Sequence, residues 1–129
     1  MNYNDVFGVH AQALEVRSRR SEIVASNLAN ADTPGYKARD IDFKQMMNLA
    51  EQNLVRVYTT DQRHIQPDND RIPPMQLLYR TPMQPSLDGN TVDTELEHVA
   101  FSANAMEYQV SLRFLNDKIS GLRKAITGE

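Results

Sequence analysis

The clearest structural signal in this sequence is its carboxy-terminal segment, residues 94–127, which reads TELEHVAFSANAMEYQVSLRFLNDKISGLRKAIT and contains no proline and one glycine. Its apolar residues recur at alternating spacings of four and three, the pattern of a helix that packs lengthwise against another helix. We call this series the apolar seam: Phe101, Ala105, Tyr108, Leu112, Leu115, Ile119, Leu122 and Ile126. The sequence therefore predicts a helix roughly 50 Å long, at 1.5 Å per residue.

This predicted helix has capping residues at its start and a second apolar series along its length. Thr94 followed by Glu97 predicts a capping box, and Asp93 is an alternative amino-terminal cap. The second series, called here the second face, comprises Leu96, Val99, Ala103, Met106, Val110 and Phe114. Two apolar faces exceed what one helix-helix contact requires, so the surplus indicates contact with other chains.

Residues 5–30 carry a weaker version of the same spacing. The positions are Phe7, Ala11, Leu14, Ser18, Ser21, Ala25 and Leu28. Small residues in the middle of this series bury little area, so we expect the amino-terminal helix to be poorly stable alone.

A turn ends the first predicted helix. Pro34 disfavours helical geometry at Thr33, and Gly35 suits the position of a type II turn that requires a positive φ. Asn30 or Asp32 can bond the freed backbone groups. Residues 31–42 are therefore predicted to be a turn and linker. After them, Asp42 is predicted to cap a short helix, residues 43–53, that carries Phe43, Met46, Met47 and Ala50.

The middle of the chain, residues 54–92, is predicted to be rich in loops. Five of the six prolines fall within residues 67–85, and proline interrupts regular structure. Leu54–Thr60 and Leu77–Tyr79 are possible short strands because β-branched, aromatic and aliphatic residues cluster there. The fold class that we predict is mainly α, with little β, in a single domain spanning residues 1–129.

Composition and motifs argue against catalysis. The chain has no cysteine, 17 acidic residues and 14 basic residues, a balance that argues against a general nucleic-acid binder. Its three histidines match no metal spacing, and no nucleophile or phosphate-binding motif is present. We expect no enzyme activity, cofactor or metal. No apolar run is long enough for a membrane span, and Met1–Asp5 does not resemble a secretory signal.

Residues 25–43, ASNLANADTPGYKARDIDF, closely resemble the signature of the bacterial flagellar rod, hook and hook-associated axial proteins. Residues 90–93 and 108–122 resemble the same family near its last helix. The motif residues are Asn27, Leu28, Ala29, Asn30, Asp32, Thr33, Pro34, Gly35 and Tyr36. The resemblance implies a subunit of the proximal rod of the flagellar basal body.

The resemblance also implies how such a subunit works. It would be exported by the flagellar type III apparatus without a cleaved signal and would polymerise through its terminal helices. The resulting rod crosses the periplasm, transmits torque and encloses the export channel. Implied partners in this homo- and hetero-oligomeric assembly are other rod subunits, the rod-to-ring adaptor, the MS-ring protein and the export gate, without nucleic acid.

On this basis we expect the terminal helices to pair as a coiled-coil-like hairpin. The residues expected to pack within the subunit are Phe101, Tyr108, Leu112, Leu115, Ile119 and Leu122 on one helix and Leu14, Ala25 and Leu28 on the other. The residues expected to meet neighbouring subunits are Val99, Met106, Val110 and Phe114. The turn is expected to aim the short helix at an adjacent subunit.

Two other interpretations remain open from the residues. A soluble cytoplasmic helical adaptor or export chaperone would melt cooperatively and protect its termini from proteases, whereas a rod subunit would have frayed termini before assembly. A nucleic-acid-binding helical protein would use the cluster Arg17, Arg19 and Arg20 and would bind in a salt-dependent manner. A solvated or salt-bridged helix face explains that cluster more simply.

Overall fold

The computed structural model describes residues 3–54, 77–82 and 86–128, and the fold is mainly helical, as predicted. The elements in chain order are α1 (Tyr3–Ala29), β1 (Arg39–Ile41), α2 (Phe43–Leu54), β2 (Leu77–Tyr79) and α3 (Thr94–Thr127). Among these described helices, none has an apolar stretch long enough to cross a membrane. The strand predicted at Leu54–Thr60 lies outside the described residues, apart from Leu54, which is the last residue of α2.

The two long helices, α1 and α3, pack side by side and run antiparallel. Arg17, near the middle of α1, bonds Ser111 and Glu107 of α3. Asn27, near the end of α1, bonds Glu97 near the start of α3. A residue nearer the carboxy terminus of α1 thus bonds a residue nearer the amino terminus of α3, as an antiparallel arrangement requires.

Asp93 caps the amino terminus of α3. Its Oδ1 accepts hydrogen bonds from the backbone N–H groups of Glu95, at 3.0 Å, and Leu96, at 3.2 Å. The alternative cap from the sequence is therefore confirmed, and the capping box predicted at Thr94 is wrong. The reason is that the Glu97 side chain turns toward α1 and bonds Asn27.

The turn after α1 packs against a second turn just before α3. Gly35 has a φ of +74°, the positive value that the sequence predicts, and Gly89 in the second turn has a φ of +77°. The Gly35 N–H donates to the carbonyl of Asp88 at 2.9 Å, and the Thr91 N–H donates to the carbonyl of Tyr36 at 3.0 Å. These bonds join the two chain segments that lead out of α1 and into α3.

A two-stranded antiparallel sheet follows from this arrangement, with Arg39 opposite Tyr79 and Ile41 opposite Leu77. The strand at Leu77–Tyr79 was predicted, whereas β1 was not, because residues 39–41 carry two charged side chains. Asp42 then caps α2 as predicted, since its Oδ1 accepts from the Gln45 N–H at 3.1 Å.

The apolar core is small and lies where α1, β1 and α2 meet. Val16 of α1, Ile41 of β1 and Met46 of α2 form its buried cluster, and Ile23 and Phe43 pack against it partly buried. Among the residues that the structure describes, α3 contributes none to this cluster. Contacts outside this cluster therefore hold α3 against α1.

Candidate functional site

The deepest side chains of α3 are polar. Glu97 is 1% exposed, Asn104 is fully buried and Ser111 is 7% exposed. We call these three residues the polar line, because their seven-residue spacing places them along one side of the helix. Apolar periodicity does not reveal these residues, because polar side chains at the same spacing carry no apolar signal.

Hydrogen bonds connect the polar line to α1. Asn104 Nδ2 donates to the Arg17 carbonyl at 2.8 Å and to Ser21 Oγ at 2.7 Å. Arg17 Nε donates to Ser111 Oγ at 3.1 Å, and its guanidinium also pairs with Glu107. Specific polar contacts thus link the middle of the helix pair.

Glu97 continues this contact into a charged network at the end of the helix pair. Its Oε1 accepts from Arg80 Nη1 at 2.7 Å, and its Oε2 accepts from Asn27 Nδ2 at 3.2 Å. Arg80 Nη2 also donates to Asp40 Oδ2 at 2.6 Å. Arg20 donates to both oxygens of Asp40, at 2.9 and 3.0 Å. Two cations and two anions therefore balance one another where α1, β1, the end of β2 and α3 meet.

The network shifts the ionisation of its central carboxylate. Burial alone would raise the pKa of Asp40, but hydrogen bonds from Arg20 and Arg80 outweigh it, so this pKa lies below its usual value. The hydrogen bond to Asp40 likewise raises the pKa of Arg20. Asp40 therefore stays ionised at neutral pH and binds both arginines.

Asn27 of the sequence motif is fully buried and connects α1 to the sheet. Its Nδ2 donates to the Arg39 carbonyl at 2.7 Å, and its Oδ1 accepts from the Arg39 N–H at 3.1 Å. The side-chain amide thus takes the place of a neighbouring strand beside β1. Tyr36 Oη also donates to Asn27 Oδ1, at 3.4 Å.

Asn90 provides the matching connection from the loop before α3. This buried side chain donates from Nδ2 to the carbonyls of Asn30, Ala31 and Thr33, at 3.1, 2.7 and 3.0 Å. Its Oδ1 accepts from the Val92 N–H at 2.8 Å. Asn90 therefore closes the carboxy-terminal end of α1. In the sequence, Asn90 belongs to the family resemblance at residues 90–93.

The other motif residues lie at or near the surface. Ala29, Asp32, Thr33, Pro34 and Gly35 are exposed, and Leu28, Asn30 and Tyr36 are half-buried. The motif thus anchors its first part, at Asn27, and presents its turn to solvent.

The apolar seam lies beside the α1 contact rather than at its centre, which differs from the prediction. Phe101, Leu112, Ile119 and Leu122 are each 41% exposed, Tyr108 is 36% exposed and Leu115 is half-buried. On α1, Leu14 and Leu28 are half-buried and Ala25 is exposed. The physical reason is that the polar line takes the inner position, about 50° around α3 from the seam at 100° per residue.

The second face lies on the other side of the polar line, about 110° around the helix. Val99, Met106, Val110 and Phe114 are between 52% and 67% exposed. The ring of Phe114 lies 5.8 Å from that of His10, centroid to centroid. α3 therefore presents large apolar side chains on both sides of its contact with α1.

Comparison with known proteins identifies the family. The family described as flagella basal body rod protein matches residues 7–37. A flagellar basal body rod protein FlgB of Aeromonas hydrophila is 48% identical over 131 residues, which cover all of this chain and 98% of the relative. FlgB proteins of Cereibacter sphaeroides and Salmonella typhimurium are 48% and 44% identical, over 98% and 91% of this chain and 98% and 89% of their own lengths. The chain belongs to the FlgB family of flagellar basal body rod proteins.

Proposed function

We propose that this chain is a structural subunit of the proximal rod, which polymerises through α1 and α3 into a tube that transmits torque and encloses the export channel. Membership of the rod family supports the structural role. The exposed apolar surface of α3 is the observation that carries the polymerisation step.

That surface is extensive. Apart from Leu115, every large apolar residue of α3 is exposed by more than a third of its surface: Leu96, Val99, Phe101, Met106, Tyr108, Val110, Leu112, Phe114, Ile119, Leu122 and Ile126. Contiguous apolar patches on a protein surface mark interaction sites. Burial against neighbours would contribute about 25 cal/mol for each Å² removed from water.

The arrangement of the two apolar surfaces suits a tube. The apolar seam and the second face lie on opposite sides of the polar line and differ in composition, so they do not form one self-complementary patch. Contacts between unlike surfaces are heterologous, and they build rings or helical assemblies rather than closed dimers. Each subunit would use one surface toward each neighbour.

Both identical and related chains are candidate neighbours. Other rod subunits, the rod-to-ring adaptor, the MS-ring protein and the export gate are the partners that we propose. The protein would therefore reside in the flagellar basal body, in the rod that spans the periplasm, after export without a cleaved signal.

An aspartate in the seam tests the role in assembly. Leu112→Asp would place a charge on a surface that must lose its water, and unpaired buried charges are costly. Expressed in cells without the native gene, this variant should yield few or no rods in electron micrographs and no swimming halo. Gln109→Asp, on an exposed polar part of the same helix, should assemble normally.

Two results decide the matter. Normal rods and swimming with Leu112→Asp would contradict polymerisation through the seam. Recovery of the native chain in the cytoplasmic fraction, and its absence from purified basal bodies, would instead favour the adaptor or chaperone.

A further inference from the structure

We propose that the polar line, through Asn104 and Ser111, sets the rotation of α3 about its own axis and so keeps the apolar seam beside the α1 contact rather than at its centre. These two side chains would act as positioning residues for the assembly surface. The inference rests on the proposed function only for the identity of what covers the seam. The rotation itself concerns the single chain and can be tested before assembly.

Apolar periodicity alone favours another orientation. The seam has the 4-3 spacing of a helix-helix contact, and burying Phe101, Tyr108 and Leu112 more deeply against α1 would remove further apolar surface from water. Rotating α3 by about 50° would bring the seam to face α1. Something in the chain must oppose this rotation.

The hydrogen bonds of the polar line supply that opposition. In the rotated helix, Asn104 would leave the Arg17 carbonyl and Ser21 Oγ, and Ser111 would leave Arg17 Nε. Hydrogen bonds are directional, whereas apolar contacts are not. Three bonds to fixed points on α1 therefore specify one face of α3, which a stripe of leucines would specify less sharply.

The bonding of Asn104 indicates that it contributes more to direction than to stability. Its Oδ1 is buried, and among the residues that the structure describes no group donates to it. A buried acceptor without a donor destabilises the fold, and replacement of buried polar groups by apolar ones of similar shape is often neutral or stabilising. An amide at position 104 therefore adds little to the stability of the fold, but its directional hydrogen bonds specify the orientation of α3.

The surroundings of Asn104 make its removal tolerable. Ser21 Oγ also donates to the Arg17 carbonyl at 3.2 Å, so Ser21 keeps a partner when Asn104 is replaced. Arg17 keeps its pairing with Glu107 when Ser111 is replaced. The charged network around Glu97 is left intact. The double variant Asn104→Ala/Ser111→Ala should therefore fold.

Thiol reactivity gives a direct measure of the rotation. The chain has no cysteine, so a single introduced cysteine reports one position. Leu112→Cys probes the seam and Val110→Cys probes the second face, each in the native background and in the Asn104→Ala/Ser111→Ala background. Labelling rates with a maleimide would be measured on the purified full chain, with helix content followed by circular dichroism.

We expect the rate at position 112 to fall about fivefold when Asn104 and Ser111 are replaced, because exposure controls access to the thiol. The rate at position 110 should stay unchanged or rise. The control Ser102→Ala/Ser120→Ala, at two exposed positions of α3, should alter neither rate.

An unchanged rate at position 112 would overturn the proposal, since α3 would then keep its orientation without the Asn104 and Ser111 side chains. A rise at both positions would also overturn it, because the polar line would then only hold the helices together. A rod-assembly defect with Leu112→Asp but no change in labelling rates would leave the proposed function intact and refute this inference alone.

Discussion

Arg80 and Glu97 form an ion pair that ties the end of the short sheet to the inner side of α3. Arg80 Nη1 lies 2.7 Å from Glu97 Oε1, and the Glu97 carboxylate is closed to solvent. The two residues are 17 positions apart in sequence, and the loop before α3 separates them. Their contact links the short sheet to the helix pair.

Loss of Arg80 should strongly destabilise the protein. Among the residues that the structure describes, Arg80→Ala would leave Asn27 as the side-chain partner of Glu97 and Arg20 as that of Asp40. Breaking a buried ion pair by removing one partner typically costs about 3–5 kcal/mol, because the other charge stays buried. Urea unfolding followed by circular dichroism would measure the free energy of unfolding.

The matched control is Arg19→Ala. Arg19 pairs with Glu22 at 3.2 Å on the exposed side of α1, and surface pairs of this kind contribute at most about 1 kcal/mol. Equal losses in the two variants would show that the Arg80 network adds nothing beyond a surface pair.

Stability should depend on pH through Asp40. Because the pKa of Asp40 in the folded chain lies below its ordinary value of 3.8, its contribution is fully present above that value and is lost as the pH falls through the folded pKa. The free-energy difference between native protein and Asp40→Asn should therefore be larger at about pH 7 than at about pH 3. A difference that stays constant or widens on acidification would argue against the paired carboxylate.

Asn90 should be required for the end of α1. Asn90→Asp keeps an oxygen for the Val92 N–H but replaces the donor that three carbonyls share, and it sets an acceptor against them. We expect a loss of about 1–3 kcal/mol, the cost of leaving buried polar groups unpaired. Asn48→Asp, an exposed position of α2, should change unfolding by no more than about 0.5 kcal/mol. A loss at Asn90 no larger than at Asn48 would be inconsistent with the bonding described.

Two glycines should respond in opposite directions. Gly35 has a φ of +74° and open space around it, so Gly35→Val should cost about 1–2 kcal/mol from backbone strain alone.

Gly121 lies within α3 with equally open surroundings, so Gly121→Ala should stabilise by up to about 1 kcal/mol. Thermal unfolding of both variants checks this, and a tolerated Gly35→Val would refute the requirement for a positive φ.

The helices could be predicted from the sequence because their signals are local. Prolines clustered in the middle of the chain, Asp93 and Asp42 at helix starts, and Pro34-Gly35 at a turn each act on residues a few positions away. Local signals of the same kind predicted β2 but not β1, because the charged residues Arg39 and Asp40 are not typical of a strand. The Asn27 side chain bonds the backbone of Arg39 at the edge of this strand.

The contact between the helices could not be predicted in this way. The apolar seam is the stronger periodic signal, yet Glu97 and Asn104 occupy the inner position. They do so because they bond partners on α1 that lie 70 and 87 residues away in sequence. Arg80 and Asp40 meet through the same long-range arrangement. Only the folded chain brings these groups together.

The most direct test of the account compares the accessibility of the seam before and after assembly. Leu112→Cys would be labelled with a maleimide in the purified free chain and in purified basal bodies, and the label on this chain quantified by mass spectrometry. The account predicts ready labelling in the free chain and strong protection in basal bodies, with Gln109→Cys labelled in both. Equal labelling of position 112 in the two states would contradict the claim that neighbouring subunits cover the seam.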